Sequence, residues 1–160
     1  MEKPVFGDGK GAKIVDTREY VSVLRDLIRE GKEVSMIISG SSMSPFLIHA
    51  RDSICFKAPW REPRRGDMVF YERPTGQFVM HRILREKPEG YYIIGDAQTD
   101  VEGPVQPEQI FAIITKVCRK GKWLNPGDFW WEFFEHVWLR LIPVRRILVQ
   151  MYGVVCLIKN

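Results

Sequence analysis

Apolar residues recur at helical spacing near the start of the chain, between residues 17 and 30. The residues on the predicted inner face of this helix are Tyr20, Val21, Leu24, Leu27 and Ile28. Asp16 is a candidate N-cap with Glu19 three residues later, and Gly31 is a natural end because glycine enters the left-handed conformation easily. We therefore predict an amphipathic helix over 17–30 that packs one face on the domain.

From residue 34 to residue 117, short apolar runs alternate with turn residues. The predicted strands are 34–38, 53–57, 68–72, 77–84, 91–95 and 110–118. Pro followed by Gly in the connections 73–76 and 87–90 favours tight turns, and no helix-length segment separates the runs. The pattern predicts a mainly β (α+β) fold, with an antiparallel, partly open β-barrel-like domain at 14–122 that includes the N-terminal helix.

After residue 122 the chain becomes dense in aromatic residues. These residues are Trp123, Trp130, Trp131, Phe133, Phe134 and Trp138. Asp128 is placed to begin a helix that Pro143 should end or kink, and this helix is apolar on most of its circumference. It could pack on the sheet as a core helix, or lie in the headgroup region of a membrane. We predict an aromatic and basic helical appendage at 123–160.

Composition indicates one globular domain, because the 160 residues are 45% apolar and 28% charged. The net charge of +4 is spread over short clusters rather than one continuous basic stripe, so a nucleic-acid partner is not expected. Attraction to an anionic membrane surface is compatible with this charge, and we expect a peripheral membrane contact through residues 128–158.

Cysteine and histidine spacings predict neither a disulfide framework nor a metal site, and no cofactor is expected. Cys55 and Cys118 lie in apolar runs, which favours buried free thiols. Segment 1–13 is polar and glycine-rich, unlike a signal peptide, and no uncharged apolar run reaches the roughly 18 residues that cross a bilayer. A membrane-associated, peripheral or cytoplasmic location is expected.

Four hydroxyl side chains, a glycine and a proline occur together at residues 39–45, directly after the first predicted strand. The chain must turn there, which leaves a serine and free backbone N–H groups at a strand end. A serine nucleophile needs a base to take its proton, and His81, within an otherwise apolar run, is the leading candidate. His49 is a weaker alternative in a loop.

Four short motifs follow one another in the order of a known family of serine peptidases. They are Gly-x-Ser-Met-x-Pro at 40–45, Arg-Gly-Asp at 65–67, Met-His-Arg-Ile at 80–83 and Ile-Gly-Asp at 94–96. This set resembles the type I signal peptidases, which share a catalytic domain with the LexA-type self-cleaving repressors. The resemblance covers about residues 32–118.

The resemblance implies that Ser42 is the nucleophile and that His81 is the general base, as in the archaeal and endoplasmic-reticulum enzymes. It also implies a carboxylate behind the histidine. Asp96 is favoured, Asp100 comes next, and Glu102 lies in the same loop, because the family spacing is not matched cleanly.

The oxyanion hole should include the backbone N–H of Ser42. Some relatives supply a second donor from a hydroxyl two residues earlier, but Gly40 stands at that position here. Gly40, Ser41 and Met43 are the flanking residues predicted to form the oxyanion and substrate-binding segment.

These expectations give a leading hypothesis, a serine endopeptidase that cleaves leader or signal peptides after small residues. One alternative is a LexA-like self-cleaving regulator, which would need a DNA-binding domain that residues 1–33 do not provide. The other is an inactive binding or assembly module at a membrane surface that kept the fold.

Overall fold

The computed structural model describes residues 17–158, without the side chains of residues 17, 18, 153 and 155–158. The N-cap predicted at Asp16 and the polar segment 1–13 lie outside these residues. Within the described part, one N-terminal helix and a C-terminal helical segment pack on a single antiparallel sheet.

The N-terminal helix, α1, spans Thr17–Arg29 and agrees with the predicted element. Its apolar face is buried through Val21, Leu24 and Ile28, which join the larger hydrophobic core. Gly31 follows the helix with φ of +83°, and its N–H donates to the carbonyl of Ile28. The amphipathic pattern thus determines both the packed face and the end of α1.

Eight strands form the sheet, in the order β1-β2-β7-β3-β4-β5-β6, with β8 paired to β7. They are β1 (Val34–Ile37), β2 (Ser53–Lys57), β3 (Met68–Glu72), β4 (Phe78–Lys87), β5 (Gly90–Ile94), β6 (Glu102–Val105), β7 (Ile110–Arg119) and β8 (Lys122–Leu124). All neighbouring strands are antiparallel. The predicted mainly β (α+β) fold is confirmed, and β6 and β8 are two strands that the prediction missed.

The sheet is strongly curved but does not close. β1 and β4 are separated by three strands in the sheet order, yet residues of both line one cleft. Register shifts in β2 at Cys55/Phe56 and in β3 at Phe70/Tyr71 are bulges of the kind that bend strands. The result is a partly open barrel with separate hydrophobic clusters, one of them beneath α1.

The C-terminal segment is a broken series of helical turns rather than the single predicted helix. It comprises α2 (Phe129–Glu132), a π-helical turn at Phe133–Val137, two 3-10 turns and α3 (Arg145–Ile158). The break falls at Leu141, just before Pro143, where the backbone leaves the helical conformation. Pro143 therefore interrupts the segment where the sequence predicted.

The aromatic residues of this segment divide between the core and the surface. Trp131, Phe134 and Trp138 are buried in the larger core, and the rings of Phe134 and Phe46 stack with centroids 4.6 Å apart. Phe129, by contrast, keeps 72% of its surface exposed. The core-helix interpretation therefore holds for part of the segment only.

The two cysteines of the strands are free, as predicted; Cys55 is buried, whereas Cys118 is partly exposed. Within residues 17–158, no helix combines the length and the apolar character needed to cross a lipid bilayer.

Candidate active site

A cleft of about 630 Å³ opens between β1, the loop that follows it and the first half of β4. Its apolar lining residues are Val21, Met36, Ile38, Met43, Ile54, Phe70, Phe78, Val79 and Met80. Its other lining residues are Ser39, Gly40, Ser41, Ser42, His49, Arg73, Gln77, His81 and Gln98. The predicted nucleophile and the predicted base therefore border the same cavity, although 39 positions separate them in sequence.

A tight loop presents Ser42 to this cleft. Gly40 has φ of +91°, which a residue with a side chain rarely adopts, and the N–H of Ser44 donates to the carbonyl of Ser41 to close a turn. Met43 is buried next to Ser42 and anchors the loop in the core, whereas Ser42 stays partly exposed. The loop thus fixes its backbone while leaving the serine open to a ligand.

The backbone around Ser42 leaves donors that could receive an oxyanion. Among the described residues, the N–H groups of Ser42 and Met43 donate to no backbone carbonyl. The N–H of Gly40, in contrast, donates to Nδ1 of His49 at 3.1 Å. The structure thus leaves Ser42 and Met43 as candidate donors and engages Gly40 in the loop itself, while Ser41 is an exposed residue of the cleft lining.

His81 is held in β4, where it faces Val69 of β3 in the antiparallel register. Only 3% of its surface is exposed. Burial penalises the charged imidazolium and lowers the pKa of His81 to about 4, although the nearby Glu102 carboxylate acts in the opposite direction. At neutral pH the ring is therefore uncharged, the form that a general base requires.

A tyrosine and a glutamate connect to the inner nitrogen of this ring. The Tyr71 hydroxyl donates to Oε2 of Glu102 at 2.8 Å, and its oxygen lies 3.3 Å from Nδ1 of His81. The Tyr71 hydroxyl has a single proton, which it donates to Glu102. Its oxygen can therefore only accept a hydrogen bond from His81, so the N–H of that bond is on Nδ1. This tautomer leaves the lone pair of Nε2 available to accept a proton.

Arg73 completes the network by holding the glutamate. Its Nε donates to Oε1 of Glu102 at 2.8 Å, and a second guanidinium nitrogen pairs with Oε2. This hydrogen bonding keeps the pKa of Glu102 below its usual range, while burial raises the pKa of Tyr71. The carboxylate therefore stays charged and the phenol stays protonated over the working range of pH.

His49 has the opposite arrangement of its ring nitrogens. Its Nδ1 accepts the Gly40 N–H, so a neutral ring carries its proton on Nε2. His49 is exposed, whereas His81 is buried. Of the two histidines that line the cleft, His81 is the one whose anchored tautomer suits a base.

The two predicted aspartates do not make this contact. Both oxygens of Asp96 accept from Arg82, at 3.0 Å from Nε and 2.9 Å from a terminal nitrogen, and both side chains are fully buried. Asp100 is an exposed residue of the loop before β6. The carboxylate that the structure connects to His81 is Glu102, and it does so through Tyr71 rather than directly.

Asp96 belongs instead to a loop that supports Ser42. The N–H of Ala97 donates to the carbonyl of Ser42 at 2.8 Å. The backbone of Gly95 approaches that same carbonyl so closely that a Cβ atom added to Gly95 would lie 2.6 Å from the oxygen. The glycine of the Gly-Asp motif is thus required for close backbone contact.

Two residues of the C-terminal segment hold this loop from the other side. The buried guanidinium of Arg145 donates to the carbonyls of Gly95 and Gln98 at 3.0 and 2.9 Å. The indole N–H of Trp138 donates to the carbonyl of Asp96 at 2.8 Å. Sequence reasoning missed the role of both residues. Arg145 was missed because one of two adjacent arginines is normally exposed to solvent.

The described residues contain no group of three or more His, Cys, Asp or Glu side chains arranged to hold a metal ion. Ser42 and His81 line the cleft, and Tyr71 and Glu102 are connected to it through Nδ1 of His81. Comparisons with protein-family models, with curated proteins and with solved structures gave no match for this chain.

Proposed function

We propose that the protein is a serine endopeptidase in which Ser42 is the nucleophile and His81 the general base. The observation that carries this proposal is that Ser42, on a tight loop, and His81, a buried neutral histidine whose Nδ1 is anchored, line the same cleft. The four ordered motifs that resemble type I signal peptidases support it independently.

In the proposed reaction, Oγ of Ser42 attacks the scissile carbonyl carbon while its proton passes to Nε2 of His81. The carbonyl oxygen becomes an oxyanion, for which the N–H groups of Ser42 and Met43 are the candidate donors. The imidazolium then gives its proton to the leaving amine as the C–N bond breaks. Water, activated by the same histidine, hydrolyses the acyl-enzyme and restores Ser42.

The Tyr71–Glu102 pair would act on His81 as a positioning and electrostatic group. The Tyr71 oxygen accepts the Nδ1 proton, which fixes the tautomer. The negative charge of Glu102 favours the imidazolium that forms during the attack and so opposes the effect of burial. The arrangement performs with two side chains the task that one aspartate performs in a Ser-His-Asp triad.

An extended peptide is the substrate that suits this cleft. Among the described strands β1 is an edge strand of the sheet, and Met36 of β1 and Ile38 just after it line the cleft. A peptide can add to such an edge through main-chain hydrogen bonds, with alternate side chains in the apolar part of the cleft. By resemblance we propose a leader or signal peptide cleaved after a small residue.

The test is cleavage of a synthetic leader-peptide library, with products identified by mass spectrometry. Ser42→Ala and His81→Ala should each lower kcat/KM by about a thousandfold or more. Tyr71→Phe and Glu102→Gln should lower kcat roughly tenfold to a hundredfold with little change in KM, because they affect the base and not peptide binding. His136→Gln, at an exposed histidine outside the cleft, is the control and should retain the activity.

Two outcomes would replace this proposal with another. An internal nick in the purified protein, lost in Ser42→Ala, would favour the self-cleaving regulator. Cleavage by Ser42→Ala at the wild-type rate would refute Ser42 as the nucleophile, and no cleavage of any library peptide by the folded wild type would favour the inactive binding module. We also propose that the enzyme works at a membrane surface as a peripheral protein, a location that depends on the surface described next.

A further inference from the structure

The outer face of α3 is an exposed apolar stripe. Ile147, Met151 and Val154 are spaced four and three residues apart, which places them on one side of a helix. Ile147 and Met151 keep 61% and 60% of their surface exposed, and Val144 extends the row in the preceding turn. Leu148 and Val149 pack against the core instead, so α3 is apolar on both its inner and its outer face.

A cluster of exposed aromatic rings lies on α2. The rings of Phe129, Trp130 and Phe133 contact one another, with centroids between 5.1 and 6.4 Å apart. Phe129 and Trp130 are exposed to solvent, whereas Phe133 is half-buried beneath them. Large aromatic side chains on the surface of a folded domain are a mark of an interaction site when they are grouped in this way.

Arg119 connects this cluster with α3. Its guanidinium lies 5.3 Å from the centre of the Trp130 ring, and its Nε donates to the carbonyl of Phe46. Tyr152 of α3 lies near this guanidinium and near that of Arg51, since it acts on the pKa of both arginines in the upward direction. The aromatic cluster and α3 therefore lie on either side of one arginine and belong to one region of the surface.

Exposed cations border this region. Lys120 is in the turn between β7 and β8, and Lys122 is the first residue of β8. Arg140 precedes α3 and Arg146 lies in its first turn, and both are also exposed. Two acids at the ends of α2 are engaged locally. Asp128 accepts from the N–H of Asn125 at 2.6 Å, and Glu132 accepts from that of Gly127 at 2.8 Å.

We propose that this region, composed of the α3 stripe, the α2 aromatic cluster and the bordering cations, binds an anionic membrane surface. Trp and Phe prefer the boundary between headgroups and acyl chains, and an apolar helix face with flanking Arg and Lys lies in the plane of that boundary. Because the cations are complementary to anionic lipid headgroups, an anionic membrane fits this region better than an uncharged apolar partner does. Ser42 takes no part in the binding.

The experiment is flotation of the full chain with vesicles of phosphatidylcholine alone or mixed with phosphatidylglycerol. We expect binding to the mixed vesicles, weaker binding to the neutral ones, and loss of binding at high salt. The double variant Ile147→Ser/Met151→Ser and the double variant Phe129→Ser/Trp130→Ser should each lower the partition coefficient about tenfold or more. Ser42→Ala should bind like the wild type.

Trp60→Ser is the matched control, because Trp60 is exposed and carries Lys57 and Arg61 beside its ring but lies outside the region. Equal losses in Trp60→Ser and in the α2 double variant would overturn the proposal, as would equal binding to both vesicle types. Sedimentation without vesicles tests a second copy as the occupant. A dimer that the α3 double variant abolishes, with vesicle binding unchanged, would also overturn it.

Discussion

Replacing Asp96 with Asn should separate a structural role of this carboxylate from a catalytic one. Asp96 and Arg82 form a fully buried, two-pronged ion pair with distances of 3.0 and 2.9 Å. Arg82 also donates to the carbonyl of Gly66 at 2.9 Å. The asparagine keeps the shape of the side chain but loses the negative charge and one of the two acceptors.

The cost follows from the burial of the arginine. Removing one partner of a buried ion pair leaves an uncompensated charge and costs about 3–5 kcal/mol. A domain of this kind has a free energy of unfolding of about 5–15 kcal/mol, so Asp96→Asn should remove a large part of it. With about 2–4 °C lost per kcal/mol for a chain of this length, the melting temperature should fall by roughly 6–20 °C.

Urea unfolding followed by circular dichroism measures this loss, and peptidase activity below the melting temperature measures catalysis per folded molecule. Asp96→Asn should lose stability and keep most of its activity per folded molecule. Glu102→Gln should behave in the opposite way, because Glu102 is only partly buried and acts through Tyr71 on His81. The double variant Arg82→Met/Asp96→Leu should recover much of the stability, since it removes both buried charges.

One result would refute this reasoning. If Asp96→Asn unfolds at the same urea concentration as the wild type but loses activity, and its pH–rate profile shifts, then Asp96 is the acid behind His81. The resemblance would then predict the site better than the hydrogen bonds of the structure do.

The other predictions concern the loop behind Ser42 and the titration of His81. Gly95→Ala should lower kcat roughly a hundredfold, because its Cβ would lie 2.6 Å from the Ser42 carbonyl oxygen, and Gly31→Ala, at the end of α1 where a Cβ meets nothing within 4 Å, is the control. Arg145→Met should also lower kcat, with proteolysis of the 95–98 loop as a second measurement. The pKa of His81 is about 6.5 in the unfolded chain and about 4 in the folded chain. The free energy of unfolding should therefore fall by roughly 3 kcal/mol from about pH 7 to pH 4, and His81→Gln should remove this dependence.

Local pattern was sufficient to predict most of the sheet. The six predicted strands and α1 are present because each carries its own apolar alternation and is bounded by turn residues. β6 was missed because Glu102–Val105 contains Gly103 and Pro104 and buries only Val105. β8 has three residues, too few for any periodicity to be visible.

The site was predictable where a motif is contiguous and not where it depends on strand register. Ser42 and His81 lie in motifs of adjacent residues, and the structure places both on the cleft. The link from His81 to Glu102 passes through Tyr71, whose position beside the ring follows from the pairing of β3 with β4. Spacing along the chain carries no information about that bridge, so Asp96 and Asp100 were ranked above Glu102.

Separate polar networks support Ser42 and His81. The Ser42 carbonyl accepts a hydrogen bond from the 95–98 loop. Arg82 of the sheet and Arg145 of α3 both donate hydrogen bonds to the same loop. His81 rests on Tyr71 and, through it, on a glutamate of another strand. Because no hydrogen bond described above connects the two networks, losses in the free energy of unfolding should add when one change is made in each. Losses in kcat/KM should not add, since the proposed reaction uses Ser42 and His81 in one step. The geometry of the cleft thus depends on two separate supports, and an arginine from the C-terminal segment belongs to one of them.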